Sequence, residues 1–453
     1  MSFKRYTAIA DNSITNAYGI DGKTRATGSN TGQADVLEVF ANYGDVQSGD
    51  MERSRALVKF DVDQIKLDIA AGILPDTGVT WYLKLSNVEH GLTNPKDFNV
   101  NVHKLTEDWE EGYGLDLDTH TDDIKNFGSS WTNRNPSTTW STEGGHYSAG
   151  FDTQEFSTGL EDLEIDITST VAEHLAAPAT NYGFVLKFPD TTEGGTVSYY
   201  TKRFFARSSE FFYKRPVLEA RWDASIKDDR GSFYASSSLA PADDNLNTLY
   251  LYNRIRGILT NIPAVGTNAI EVSLYDVAGG TQIGTNFTGS YVSPGVYKCD
   301  VFADTIKTSI VDVWSSGSIE YHTGAIEVKN FSDDKVINNY ILKISNAQNY
   351  YKNIGTQRFR LYTRAKNWSP NIYTVAKDTP ETTIIPSASI EISRVTDGEM
   401  IVPHGTGSTQ HTIMSHDVQG NYFDLDMTLF EPGYDYAMTF AFYNDDVKTR
   451  QDQ

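Results

Sequence analysis

Four acidic side chains surround one tryptophan in Glu107-Asp108-Trp109-Glu110-Glu111. A glycoside hydrolase needs two carboxylates held at a fixed separation across a sugar. Adjacent carboxylates in a loop that ends at Gly112 do not specify that separation, so no catalysis is expected there. Farther on, Asp116-Leu117-Asp118-Thr119-His120-Thr121-Asp122-Asp123 sets oxygen-bearing side chains at alternate positions. Hard cations such as calcium take that kind of ligand. The stretch opens like an EF-hand loop, without the turn-forming glycine at its sixth position or the glutamate at its twelfth. Asp116, Asp118, Asp122 and Asp123 are therefore calcium candidates, with a solvated acidic loop as the other reading.

His404, His411 and His416, followed by Asp417, form the densest histidine cluster, interleaved with Gly405, Gly407 and Ser408. The spacings match no common zinc motif. Metal binding would need strands to bring two rings together, and surface histidines are the alternative. Trp109, Trp131, Trp140, Tyr199, Tyr200 and Tyr213 lie in or near loop-like stretches. Rings stack on sugar faces, which makes Trp131 and Trp140 candidates for a glycan platform. Packing inside or at the edge of a sandwich is the commoner use of such rings. Cys299 lies in Val296-Tyr297-Lys298-Cys299-Asp300-Val301-Phe302, a strand pattern that suits a buried thiol better than a nucleophile. No Gly-x-Ser-x-Gly elbow, phosphate-cradling loop, dinucleotide fingerprint or zinc-protease motif occurs. The expectation is a protein that is not an enzyme.

The elements that must position these residues are strands. Ala56–Phe60 and Trp81–Leu85 are short β-rich runs bounded by turn residues. Phe98, Val100 and Val102 alternate with Asn99, Asn101 and His103, and Leu163, Ile165 and Ile167 alternate with Glu164 and Asp166. Tyr434, Tyr436, Met438, Phe440 and Phe442 fall on one face near the end. Helical spacing is scarce. Ile65, Ile69 and Ile73 lie four apart, as do Val171 and Leu175, the latter after a Ser/Thr cluster that with Glu173 resembles capping chemistry. Both helices read as plugs over the ends of a sandwich. Polar breaks at 223–232 and 330–339 divide the chain into three β domains, 1–225, 226–330 and 331–453.

The chain holds 453 residues, with 38 Lys+Arg against 60 Asp+Glu and a single Cys. That length suits two to four domains. A net charge of -22 argues against a partner made of duplex DNA or anionic membrane. One cysteine excludes an internal disulfide framework or a multi-cysteine metal site. No stretch approaches the ~20 apolar residues of a membrane span. Met1–Arg5 is followed at once by polar residues and not by the apolar core of a signal peptide. Synthesis in a cytosol is therefore expected.

Five short motifs occur in a fixed order: Ser54–Asp61, Thr106–Gly112, Asp166-Ile167-Thr168, Asn181–Lys187 and Arg215–Leu218. That order resembles the DNRLRE-type β-sandwich, a jelly-roll module similar to carbohydrate-binding modules. The likeness covers about half the chain, and Lys202–Ser209 departs from the family's signature before the final strand. The resemblance implies a jelly-roll β-sandwich for the first block, with Trp109 as a structural anchor; with the strand runs that follow, the expected fold is all-β, that jelly-roll β-sandwich followed by two smaller β-sandwich domains. Opening directly on this module, the chain looks like a virion protein of a tailed bacteriophage, a head, neck, tail or fibre component assembled in the host cytoplasm. Its expected partners are copies of itself and other virion proteins. The alternative is a carbohydrate-binding adhesin or receptor-binding protein that recognises host glycans. Calcium is the one cofactor in view.

Overall fold

Strands make up 45% of the chain and helices 10%, so the architecture is all-β, a multi-domain sandwich fold. The computed structural model describes residues 2–452 apart from 20, 45, 46, 48, 92, 93, 116–127, 239, 330–338, 370, 376–381, 406–409 and 445–448. The chain divides into two units, residues 3–222 and residues from 223 onward together with Ser2. Among the described residues no helix is long and apolar enough to cross a membrane.

In chain order the first unit contains β1 (Phe3–Thr7), β2 (Ala10–Thr15), β3 (Val36–Tyr43), β4 (Met51–Lys59), α1 (Val62–Ala70), β5 (Thr80–Leu85) and β6 (Phe98–Leu105). There follow β7 (Asn133–Asn135), β8 (Thr138–Thr139), β9 (Tyr147–Phe156), β10 (Leu163–Asp166), α2 (Thr168–Ala176), β11 (Phe184–Lys187), α3 (Asp190–Glu193), β12 (Tyr199–Phe205) and β13 (Val217–Arg221). One sheet runs β1-β13-β5-β10 and the other β12-β3-β4-β11-β6-β9, with β2 also paired to β4. The chain crosses between the two sheets repeatedly, as in a jelly roll. Trp81, Leu83, Ile165 and Leu218 of the first sheet share a core with Val39, Val58, Val100 and Phe184 of the second.

The middle of the second sheet, at β4 and β11, is buried on both faces. Ala56, Val58, Phe184 and Leu186 point into the main core, whereas Leu57 and Val185 belong to a second core on the outer face. This explains why β4 and β11 read as continuous apolar runs and not as alternation. Both expected helices form, and Ile65 and Val171 enter the main core. Ile73 does not extend the first helix. Asp61 caps its start by accepting the Gln64 N–H at 3.1 Å, and Gly72, at a φ of 70°, ends it by turning the chain left-handed. Ile73 is left 51% exposed and Leu74 takes the buried place. No side chain caps α2 at Ile167; instead Asp166 Oδ1 accepts the Thr168 N–H at 2.9 Å.

The second unit contains β14 (Phe233–Tyr234), β15 (Asn247–Tyr252), β16 (Arg254–Ile255), β17 (Ile258–Leu259), β18 (Ile270–Tyr275), β19 (Gln282–Ser293), β20 (Val296–Val301), β21 (Ser309–Ser316) and β22 (Ile319–Lys329). Then come β23 (Tyr340–Ile344), β24 (Thr356–Ala365), α4 (Ile372–Val375), β25 (Ala388–Arg394), β26 (Met400–Val402), β27 (Ser415–Asp417), β28 (Gly420–Asp426), β29 (Tyr436–Asn444) and β30 (Thr449–Asp452). A sheet ordered β14-β22-β21-β18-β19-β20-β15 curls as a near-barrel around Phe233, Leu249, Val272, Tyr297, Ile310 and Trp314. Two further sheets, β23-β24-β28-β27 and β26-β25-β29-β30, meet through aromatic rings: the Phe423 and Phe440 centroids lie 6.2 Å apart.

Candidate functional site

Trp109, Trp131 and Trp140 converge on the outer face of the second sheet, packed with Ile14, Leu57, Leu105 and Val185. Trp109 Nε1 donates to the Tyr182 carbonyl at 2.8 Å, and Trp140 Nε1 to the Ser130 carbonyl at 2.9 Å. Trp131 and Trp140 are each 4% exposed. Rings closed inside a core offer no face to a sugar, so the expected glycan platform at Trp131 and Trp140 is corrected to a packing cluster. Its charged neighbour is Arg55, whose guanidinium lies 4.9 Å over the Trp131 ring. Arg55 forks onto the Glu193 carboxylate at 3.0 and 2.6 Å and gives its remaining amino group to the Gly144 carbonyl at 2.7 Å.

The carboxylates around Trp109 go to separate partners. Glu107 accepts the Ser141 N–H at 3.1 Å, Asp108 pairs with Lys59 at 2.9 Å, and Glu111 receives the Arg207 fork at 3.0 and 2.7 Å. This is ion pairing spread along a loop and not an acid pair across a sugar.

Asp116, Asp118, Asp122 and Asp123 lie outside the described residues. The chain on either side of them is held by one side chain. Asn30 Nδ2 donates to the carbonyls of Glu111 and Ser129 at 2.6 and 2.7 Å, while its Oδ1 accepts the N–H groups of Gly32 and Gly114 at 3.1 and 2.9 Å. All of the amide's donors are used. Among the described residues no three His, Cys, Asp or Glu side chains are grouped to hold a metal ion. His404, His411 and His416 are thus not brought together as ligands. His416 is buried, its Nδ1 has no hydrogen-bond partner among the described residues, and burial pushes its pKa down to about 4. Cys299 is buried in β20, where burial pushes the thiol up to about 12; such a thiol is no nucleophile at neutral pH.

Two features stand out that the sequence reading did not single out. The first is a cleft of about 390 Å³ between β6, β9 and α2 in the first unit. Its polar lining comes from Lys104, Ser148, Asp152, Ser169, Thr170 and Glu173, and Val102 and Phe184 also line it. Lys104 and Glu173 form an ion pair. Burial raises the Asp152 pKa, helped by the charge of Asp166. The cleft draws on four separate segments of the chain, β6, β9, α2 and β11, so local patterning carries no trace of it.

The second is the hairpin β16–β17. Arg256 and Gly257 have φ of 52° and 84°, as a two-residue type I′ turn requires. The base is tied down: Asn253 N–H donates to the Gly295 carbonyl at 2.7 Å, Gly295 N–H to Asn261 Oδ1 at 2.7 Å, and Asn253 Nδ2 to the Thr260 carbonyl at 2.6 Å. Beyond that base Ile255 is 45% and Ile258 70% exposed, beside exposed Arg254 and Arg256. The local signal for it was a glycine turn flanked by isoleucines.

No family model matches the chain. No curated protein matches it either. Among solved structures it is similar to the crystal structure of Salmonella alpha-2-macroglobulin reacted with methylamine, at 8% identity over 98% of this chain, with a TM-score of 0.17. The chain spans 28% of the length of that protein. A similarity at that score carries no argument about fold or function.

Proposed function

We propose that the protein is a non-enzymatic structural component of a tailed-bacteriophage particle, built into the head, neck or tail as multiple symmetric copies. The phage part of the reading rests on the order of the five DNRLRE-like motifs from Ser54 to Leu218. The assembly part rests on one observation, the anchored hairpin that holds Ile255 and Ile258 in solvent. A pair of apolar side chains on a rigid tip stays exposed at a cost unless a partner covers it.

The choice of a second copy as that partner follows from charge. The segment Asn253–Asn261 carries two arginines and no acid, whereas the whole chain carries a net charge of -22. A basic, apolar tip on one copy suits the acidic body of the next, and repeated contacts of that kind close into rings. Cryo-electron microscopy of particles from infected cells tests the phage reading. It predicts density for this chain in symmetric copies, and particles without the chain would overturn it.

A further inference from the structure

We propose that Lys202 and Asn87 join through their side chains in an intramolecular amide bond that staples the two sheets of the first unit, independently of any contact made by the β16–β17 hairpin. The two residues are 115 positions apart in the chain. Asn87 follows β5 of one sheet, and Lys202 stands in β12 of the other. Lys202 Nζ donates to Asn87 Oδ1 at 2.7 Å. The backbone holds them in place: Asn87 pairs with Phe204 in an isolated bridge, and its N–H donates to Asp162 Oδ1 at 2.6 Å. An amine fixed against an amide in this way has an effective concentration far above any reached in solution.

The surroundings of Lys202 disfavour a charge. The residue is 1% exposed, and its Nζ lies 4.8 and 5.1 Å over the rings of Phe156 and Phe204. Its other two partners are the carbonyls of Gly159 at 2.9 Å and Glu161 at 2.8 Å, so all three hydrogen bonds go to uncharged oxygens. Burial pushes its pKa from 10.5 down to about 8, against the charges of Glu161 and Asp162. A desolvated neutral lysine is a nucleophile.

In the step proposed, the neutral amine adds to Asn87 Cγ and the bond from Cγ to Nδ2 breaks. One amine proton passes to Nδ2, which leaves as ammonia, and the other stays on the new secondary amide. Nothing is oxidised or reduced, and no co-reactant is consumed. Glu161 Oε2 is buried without a hydrogen-bond partner among the described residues, and its charge acts on Lys202. That oxygen is assigned to carry the proton between the two nitrogens.

The test is mass spectrometry of the full chain, held folded near pH 8 and then digested with trypsin. The expected product is residues 85–96 joined to residues 188–203, lighter than the two separate peptides by one ammonia and uncut after Lys202. Lys202→Met and Asn87→Ala should each abolish it, and Glu161→Gln should slow its formation tenfold or more. The parent should melt above Asn87→Ala by roughly 10–20 °C, because the bond closes a long loop. Lys202 serving only as a three-bond cap would leave the parent cut after Lys202 with Asn87 intact or hydrolysed to aspartate, and that result overturns the proposal whatever the variants do. Joining at an equal rate in Glu161→Gln would overturn the role of Glu161.

Discussion

The Asn253 N–H donates to the Gly295 carbonyl at 2.7 Å, and this bond ties the base of the β16–β17 hairpin to the turn between β19 and β20. The fit tolerates no added atom. A Cβ at Gly295 would lie 2.5 Å from the Thr260 nitrogen and 2.7 Å from the Asn253 oxygen, at a φ of 75°. Gly295→Ala is therefore expected to lower stability by roughly 1–3 kcal/mol and to weaken self-association. Thermal melting together with sedimentation reads both effects; an alanine variant that melts and associates like the parent would show that the hairpin base is not held in this way.

Asn30 makes a second prediction. Replacing it by alanine removes two donors and one acceptor that serve four backbone groups, at Gly32, Glu111, Gly114 and Ser129. The expected cost is about 2–4 kcal/mol, since buried groups left unsatisfied lose more than a net hydrogen bond. Limited proteolysis should show new cleavage between 110 and 130, and an unchanged digestion pattern would count against the clamp.

Arg55 and Glu193 form a buried pair whose loss is asymmetric. Arg55→Ala leaves the Glu193 carboxylate with Lys187 at 3.3 Å and removes the cover over Trp131. A loss of about 3–5 kcal/mol is expected. The double change Arg55→Met with Glu193→Leu should cost markedly less, because neither member of the pair is left without the other and Lys187 keeps its pairing with Asp190. Chemical denaturation of the three variants separates the cases, and equal losses would contradict the argument.

Much of the fold was legible as strand periodicity, and the limits have a physical cause. Phe98, Val100 and Val102 mark the core face of β6 correctly. Asn101 and His103, which alternation assigns to solvent, are buried all the same. His103 reaches the Ser148 carbonyl at 3.0 Å and its ring lies 4.6 Å from that of Tyr147 on the neighbouring strand. Trp131 and Trp140 lie in stretches that look like exposed loops, and they are buried because they pack over Leu57 and Val185, distant in the chain. Burial by a remote segment leaves no local pattern. The cleft lined by Lys104, Asp152 and Thr170 was hidden for the same reason.

The pH dependence of the first unit has a worked sign. Burial, joined by the Glu111 charge against the Arg207 backbone N–H, lifts Asp11 from 3.8 to about 7. Its folded value is the higher one, so its contribution to stability is complete below 3.8 and is lost as pH rises through 7. Burial lowers His174 from 6.5 to about 4, so its contribution is present above 6.5 and is lost as pH falls through 4. The two trends oppose each other between those limits. Asp11→Asn removes the first, so relative to the parent the variant gains stability as pH rises from 4 to 7, by on the order of 4 kcal/mol in full. Denaturation at several pH values checks this, and parallel curves for the two proteins would contradict it.

Copies of the chain are proposed to join through the exposed tip at Ile255 and Ile258. Mass photometry of the purified chain at low and high salt measures it most directly. A defined multimer that weakens with salt is expected, and monomers for the double variant Ile255→Asp with Ile258→Asp at an unchanged melting temperature. A parent that stays monomeric at every concentration, or a variant that assembles as the parent does, would contradict it.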